Sequence, residues 1–341
     1  MRDDEFESVW WDGDAVGFVD QRRLPSELVR DRAVDTDGVV AAIRSLAVRG
    51  APCIGVFGAY GVALAHARAA SREAFAADAE RIRRARPTAV NLSWAVDQVV
   101  AADDPLRAAR ELHAEQRAVD AAIAANGAAL MPAEGAVITH CNTGPLATAG
   151  LGTALAVIVA AQRAGKNLHV FIDETRPLLQ GARLTTVELA VAGVPATLIV
   201  DGAAALTIGR KNVACAIVGA DRIATNGDVA NKIGTLGLAL AAAYHGIPFY
   251  VAAPRSTVDF ALRSGSEIPI EERGHDEVRA FGGIPTAPLQ TDVYNPAFDV
   301  TPGRLVAGIV TEYGVARPPY IDAIPDLATR PSGIFARAAH A

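Results

Sequence analysis

From Ala136 onward, short apolar runs alternate with helical stretches: Ala136–Thr139, Leu168–Ile172, Ala196–Val200, Ala214–Val218 and Pro248–Val251. None of them alternates polar with apolar residues, which is the pattern of parallel strands covered on both faces. A repeated strand–helix order leaves few architectures, and predicts an open parallel α/β sheet. Ligands of such sheets bind beyond the carboxyl ends of the strands. The residues that matter are therefore His140-Cys141-Asn142, Asp173-Glu174-Thr175-Arg176, Asp201-Gly202 and Asp221-Arg222, and polar side chains do gather there.

The preceding part reads as mostly helical. Val39, Ile43 and Leu46 share one helical face, with Gly50 just past the end as a C-terminal cap tolerant of positive φ. Asp104-Pro105 is a start signal, the Asp as N-cap and the Pro at the first helical position. The helix that follows carries Ala108, Leu112, Val119 and Ile123 on one face, ends at Asn126-Gly127, and is expected to connect two domains. The expected division is residues 1–125, mostly helical, and 126–341, the α/β domain.

A chain of 341 residues is long enough for two such domains. Half of it is hydrophobic, much of that Ala, and 6% is aromatic, which suits closely packed helices around a sheet. The net charge of −6 argues against a nucleic-acid partner, although a few basic residues can still bind an anionic metabolite. Three cysteines, Cys53, Cys141 and Cys215, fit free thiols in a reducing compartment. The charged start Met1-Arg2-Asp3-Asp4-Glu5 lacks a secretory apolar stretch, and the longest apolar run, Leu151–Ala161, is too short to span a bilayer. A cytoplasmic protein with no membrane partner is expected. No cofactor and no metal is indicated: Gly150-Leu151-Gly152 lacks the third glycine of a dinucleotide fingerprint, no Walker loop occurs, Gly265-Ser266 completes no nucleophile elbow, and the seven histidines show no ligand spacing.

Cys141 follows a strand and precedes a Gly-containing turn, a place for a thiol that exchanges a proton with a substrate carbon; the alternative is a small buried hydrophobe. His140 is adjacent, but neighbours on an extended segment point to opposite sides, so adjacency does not make a dyad. Asp221 ends the run Val218-Gly219-Ala220 and could donate and accept protons, provided burial raises its intrinsic pKa of about 4. Alternatively it pairs with Arg222 or caps the next turn. Asn226-Gly227-Asp228 makes a turn, after which Asn231-Lys232 is expected to open a helix whose free amides and positive dipole end suit an anion. Arg49-Gly50-Ala51-Pro52 joins two helices through small residues that expose N–H groups, and Arg86-Pro87-Thr88 supplies a second guanidinium. Each arginine alone reads more often as a surface charge.

In one order along nearly the whole chain, these segments resemble the methylthioribose-1-phosphate isomerases, relatives of the regulatory subunits of translation initiation factor 2B. The resemblance runs through Val19-Asp20-Gln21, Leu24-Pro25, Arg49 to Pro52, Arg86 to Leu92 and Thr139 to Asn142. It continues through Asp173 to Pro177, Gln180 to Arg183, Gly219 to Ile223, Asn226 to Lys232, Pro248 to Ala252 and Ile268 to Arg273. It implies a small mixed N-terminal domain before a Rossmann-like domain, and a homodimer. It also implies that Cys141 and Asp221 are catalytic and that Arg49, Gly50, Ala51, Arg86, Gln180, Asn231 and Lys232 contact a sugar phosphate. Departures fall at Cys53, at Thr143-Gly144-Pro145 and at Thr225.

The implied chemistry is specific. A phosphate on the anomeric oxygen locks the ring, so no free aldehyde is available to isomerise. The expectation is that a protonated Asp221 in a dry pocket helps open the ring, while Cys141 moves the C2 proton to C1 through an enediol-type intermediate; a hydride shift is the competing route. Three alternatives stay open: 5-deoxyribose 1-phosphate as substrate, ribose 1,5-bisphosphate, or a non-catalytic regulatory protein that only binds a sugar phosphate or nucleotide. No extra basic cluster stands near these segments, which favours an apolar group at C5 over a second phosphate.

Overall fold

A computed structural model describes residues 6–86 and 90–329. It divides into two units, one of residues up to Ala122 with Thr143–Ala156, the other of Ile123–Asn142 with residues from Val157 onward.

The first unit opens with strands β1 (Val9–Trp11), β2 (Val16–Val19) and β3 (Arg30–Ala33), an antiparallel sheet in that order. Helix α1 (Thr36–Arg44) starts where the Asp35 carboxyl accepts from Gly38 N at 2.8 Å. It does not run on to Gly50. Ser45 caps it and Leu46 turns to φ 60°, so Gly50 stands instead before α2 (Ala51–Arg68), as its N-cap at φ 96°. A β-carbon on Gly50 would also lie 2.3 Å from the Ala147 carbonyl oxygen, so this position needs glycine on two counts. Every residue from Cys53 to Ala65 of α2 is buried, as expected of a helix that is apolar all round. Around it pack α3 (Arg72–Arg83), α4 (Val90–Val100) and α5 (Pro105–Ala128), and Phe18 meets Phe57 edge to face at 5.3 Å. Asp104 caps α5 as expected, accepting from Arg107 N at 3.0 Å, and the two units divide within this helix. Cys53 lies in this apolar core with no exposed surface.

Beyond α5 the chain order is β4 (Glu134–Thr139), α6 (Pro145–Thr148), α7 (Ala154–Arg163), β5 (Asn167–Asp173), a π-helical turn (Gly181–Thr185), α8 (Thr186–Val191), β6 (Ala196–Ile199), α9 (Ala204–Arg210) and β7 (Val213–Val218). There follow β8 (Arg222–Ala224), β9 (Val229–Lys232), α10 (Thr235–Tyr244), β10 (Phe249–Ala252), β11 (Val258–Asp259), α11 (Asp276–Arg279), β12 (Ala280–Phe281) and β13 (Ile284–Pro285). The last elements are β14 (Phe298–Thr301), β15 (Gly308–Thr311), β16 (Gly314–Ala316) and α12 (Tyr320–Ala328). Among the described residues no helix is long and apolar enough to cross a membrane.

The main sheet of the second unit has the order β16-β15-β10-β7-β4-β5-β6, parallel except for β16. All five strands expected from the apolar runs are present and parallel. The edge strand β6 differs in burial: it is covered on fewer sides than its apolar sequence suggests, and Leu198 is exposed. From β4 the chain winds outward through β5 and β6, then returns to place β7 on the other side of β4. The β4–β7 pair is therefore the topological switch point, the place where this architecture holds ligands. A second sheet, β11-β8-β9-β14, stands after β7, its β8–β9 turn tied by Asn226 and Asp228 at 2.8 Å and 3.0 Å.

Candidate active site

Cys141 and Asp221 follow the two strands of the switch point, Cys141 two residues past β4 and Asp221 three past β7. Cys141 is 8% exposed and sits at φ 64°, a left-handed conformation that side-chain-bearing residues rarely adopt. Its N–H donates to Thr175 Oγ1 at 2.9 Å, and its carbonyl accepts from Thr185 Oγ1 at 2.7 Å. His140 is engaged at both ring nitrogens: Nδ1 lies 3.0 Å from Asp173 Oδ2 and Nε2 is 2.8 Å from the Ile233 carbonyl. Burial opposes a charge on His140, but the Asp173 carboxyl outweighs it and holds the imidazole above its ordinary pKa. Burial also pushes Asp173 up, against the pull of His140.

Asp221 corrects one expectation. Its N–H is pinned to the Ala230 carbonyl at 2.9 Å, which joins it to β9, yet its side chain is exposed. The dry, buried setting expected for this carboxyl is not present among the described residues. Arg222 is committed elsewhere, to Asp259 at 3.4 Å.

Asn231 and Lys232 correct another. They do not open a helix; they are the last residues of β9, paired with Asp299 and Phe298 of β14. Lys232 Nζ donates to the Ala297 carbonyl at 2.6 Å and lies 4.3 Å from the Phe298 ring centre, and Asn231 Nδ2 donates to Thr235 Oγ1 at 3.0 Å. The helix itself starts three residues later, at Thr235, behind Gly234. Its start is already occupied by a carboxylate: Asp299 accepts from Gly234 N at 2.8 Å and from Leu236 N at 3.1 Å. The sequence could not show this, because Asp299 arrives from a strand more than sixty residues away.

Gln180 precedes the π-helical turn, 4% exposed, and its Oε1 has no hydrogen-bond partner among the described residues. A buried unpaired amide oxygen costs about 1–3 kcal/mol, which a ligand hydroxyl would offset. His140, Asp173 and Asp201 bring ligand atoms within 4.8 Å of one another, but both imidazole nitrogens and both Asp201 oxygens are spent on hydrogen bonds. Of the cluster's polar atoms, Asp173 Oδ1 is left without a hydrogen-bond partner among the described residues. Thr185 and Asp299 carry no signal in the one-dimensional pattern; Thr175 and Asp201 fall among the strand-end residues but show their role only in three dimensions.

In the first unit, Arg49 Nε donates to Gln21 Oε1 at 3.0 Å, and Gln21 Nε2 reaches the Leu146 carbonyl at 2.8 Å. Gly50 and Ala51 then open α2, which has no side-chain cap at its start. A long helix with uncapped first amides and a neighbouring guanidinium has the chemistry of an anion site. Arg86 is half-buried. Pro87, Thr88 and Ala89 lie outside the described residues.

Comparison with known proteins follows the same lines. Residues 47–318 match the model of the initiation factor 2 subunit family. The methylthioribose-1-phosphate isomerase of Chloroflexus aurantiacus is 50% identical over 342 residues, covering 95% of this chain and 99% of the relative. The solved 5-methylthioribose 1-phosphate isomerase of Pyrococcus horikoshii OT3 is 37% identical with a TM-score of 0.89, over 96% of this chain and 99% of that one. A solved structure named as translation initiation factor eIF-2B, subunit delta, from A. fulgidus is 39% identical with a TM-score of 0.86, over 95% and 99%.

Proposed function

The chain belongs to the initiation factor 2 subunit family, and from that premise we infer that it is an isomerase of 5-methylthioribose 1-phosphate with Cys141 and Asp221 as its proton-transfer groups. The Chloroflexus aurantiacus and Pyrococcus horikoshii relatives, matched over nearly the full length, carry that activity in their names. The observation that carries the residue assignment is the placement of Cys141 and Asp221 after neighbouring strands β4 and β7 at the switch point.

The reaction breaks the bond between C1 and the ring oxygen and moves hydrogen from C2 to C1. Asp221 protonates the departing ring oxygen; because it is exposed in this chain, bound substrate has to cover it for the carboxyl to hold its proton. Cys141, as thiolate, takes the C2 proton, leaving a phosphorylated enediol. Cys141 returns that proton to C1 and the C2 hydroxyl gives its own to Asp221, so the ketone forms and both groups are restored. By the resemblance, Arg49, Gly50, Ala51, Arg86, Gln180, Asn231 and Lys232 bind the sugar phosphate. The unpaired Gln180 oxygen suits a sugar hydroxyl, and Lys232 supplies charge. The protein works as a cytoplasmic homodimer: the resemblance supports the dimer, and three buried cysteines outside any disulfide suit a reducing compartment.

Purified Cys141→Ser and Asp221→Asn test the assignment. Loss of a proton-transfer group costs about 10² to 10⁴ in rate, so each variant should lose turnover on that scale while melting like the parent. Near-normal kcat in either removes that residue from the mechanism. Tight sugar-phosphate binding by the parent with no turnover would favour the regulatory reading that likeness to the eIF-2B delta structure keeps in view.

A further inference from the structure

Left-handed backbone at a side-chain-bearing residue persists only where the surroundings over-determine it. Cys141 meets that description through two buried hydroxyls. Thr175 Oγ1 accepts from the Cys141 N–H and donates its own hydrogen bond to the Asp173 carbonyl at 3.0 Å. Thr185 Oγ1 donates to the Cys141 carbonyl and accepts from Asn142 Nδ2 at 3.2 Å. Each hydroxyl thus gives one bond and takes one, which fixes the direction of both chains. Both threonines have no exposed surface.

Thr175 is itself left-handed, at φ 68°, and is held by Asp201, whose carboxyl oxygens accept from Thr175 N and Arg176 N at 2.7 Å each. The π-helical turn delivers Thr185, and it begins at a glycine that packs on the same group. A β-carbon on Gly181 would lie 1.8 Å from the Asp173 carbonyl oxygen and 2.9 Å from Thr175 Oγ1. A π-turn is an uncommon element found often at functional sites.

We propose that Thr175 and Thr185 are positioning residues for the isomerisation, a two-hydroxyl latch that fixes the peptide on each side of Cys141 and so aims its thiol, with Asp201 holding Thr175 in turn. The inference rests on Cys141 being a proton-transfer group. Releasing either hydroxyl frees the Cys141 peptide to leave the left-handed region, which swings the Cα–Cβ bond. Misplacing a reacting group by about 1 Å costs on the order of 10²-fold.

The test compares Thr175→Val and Thr185→Val, which keep shape and branching but lose the hydroxyl, with Thr175→Ser, which keeps it. kcat and KM are measured with 5-methylthioribose 1-phosphate, with melting temperatures alongside. The iodoacetamide labelling rate of Cys141 is followed by peptide mass spectrometry. Both Val variants should lose about 10- to 100-fold in kcat, with KM within roughly threefold and a changed Cys141 labelling rate. Thr175→Ser should stay within roughly threefold of the parent throughout. Folded Val variants with parental kcat overturn the latch, as does an equal loss in Thr175→Ser. Should a Val variant fail to fold, Asp201→Asn loosens Thr175 from outside, and an unchanged kcat there also overturns it. Cys141→Ser separates the two readings: if it stays active, the catalytic assignment falls and takes the latch with it. If it is dead while the folded Val variants are unaffected, the latch alone falls.

Discussion

Asp120, on α5, is a carboxyl with no exposed surface that gathers the segment after α6 around itself. Its Oδ2 accepts from Thr148 Oγ1 at 2.6 Å, Leu151 N at 2.8 Å and Gly152 N at 2.9 Å, and its Oδ1 accepts from Gln116 Nε2 at 2.7 Å. Burial pushes its pKa up and these four donors pull it down; burial wins, and the group is raised from 3.8 to about 7. Between those values the folded chain keeps a proton that the unfolded chain has released. Stability therefore falls as pH rises through the window and levels off above it. From pH 5 to pH 7, two units at 1.36 kcal/mol each give about 2.7 kcal/mol. Asp120→Asn removes the titration yet keeps an oxygen for Thr148, Leu151 and Gly152, while Gln116 can reverse its amide to accept from the new Nδ2. Urea unfolding followed by circular dichroism at pH 5, 6, 7 and 8 should show the parent losing about 2 to 3 kcal/mol relative to the variant by pH 7, with parallel behaviour above. A difference that stays constant over the whole range would mean that Asp120 is ionised throughout, held by its donors, and the reasoning would be refuted.

Other substitutions probe separate parts of the account. Gly50→Ala forces a side chain into φ 96° and against the Ala147 carbonyl; it should cost at least about 1–3 kcal/mol, and an unchanged melting temperature would contradict the geometry. Lys232→Met keeps the stem beside Phe298 and removes the charge. With Lys232 in the proposed phosphate-binding set, loss of a charged hydrogen bond, about 1.5–3 kcal/mol, should raise KM by roughly 10- to 100-fold in steady-state kinetics. A parental KM would take Lys232 out of the binding set. Asp299→Ala uncaps Gly234 and Leu236 and should cost about 0.5–2 kcal/mol in denaturant melts; a neutral result would show that water serves those amides as well.

The sheet is legible in the sequence because its central strands are buried on both faces, and a short run such as Leu168–Ile172, apolar but for His169, fits a covered strand. Strand ends point in turn to Cys141, Asp173, Thr175, Asp201 and Asp221. Two strands escape: β16 spans three residues, too few for a period to show, and β15 has two apolar residues between a glycine and a threonine. The segment of Asn231 and Lys232 misleads because a turn followed by Asn looks locally like a helix start, whereas pairing with β14 makes it a strand. Gly50 misleads for a related reason, since a glycine between two helices can close the first or open the second. The exposure of Asp221 and the hydroxyls of Thr175 and Thr185 around Cys141 depend on contacts made across 30 residues or more, which no local pattern encodes.

Turnover of the sugar phosphate is the most direct test of the account. A phosphorus NMR time course of the purified protein with 5-methylthioribose 1-phosphate, run beside 5-deoxyribose 1-phosphate and ribose 1,5-bisphosphate, reads it in one experiment. The expected result is conversion of the methylthio sugar to its ketose 1-phosphate with the highest kcat/KM of the three. A folded protein that leaves all three unchanged would contradict the isomerase reading outright.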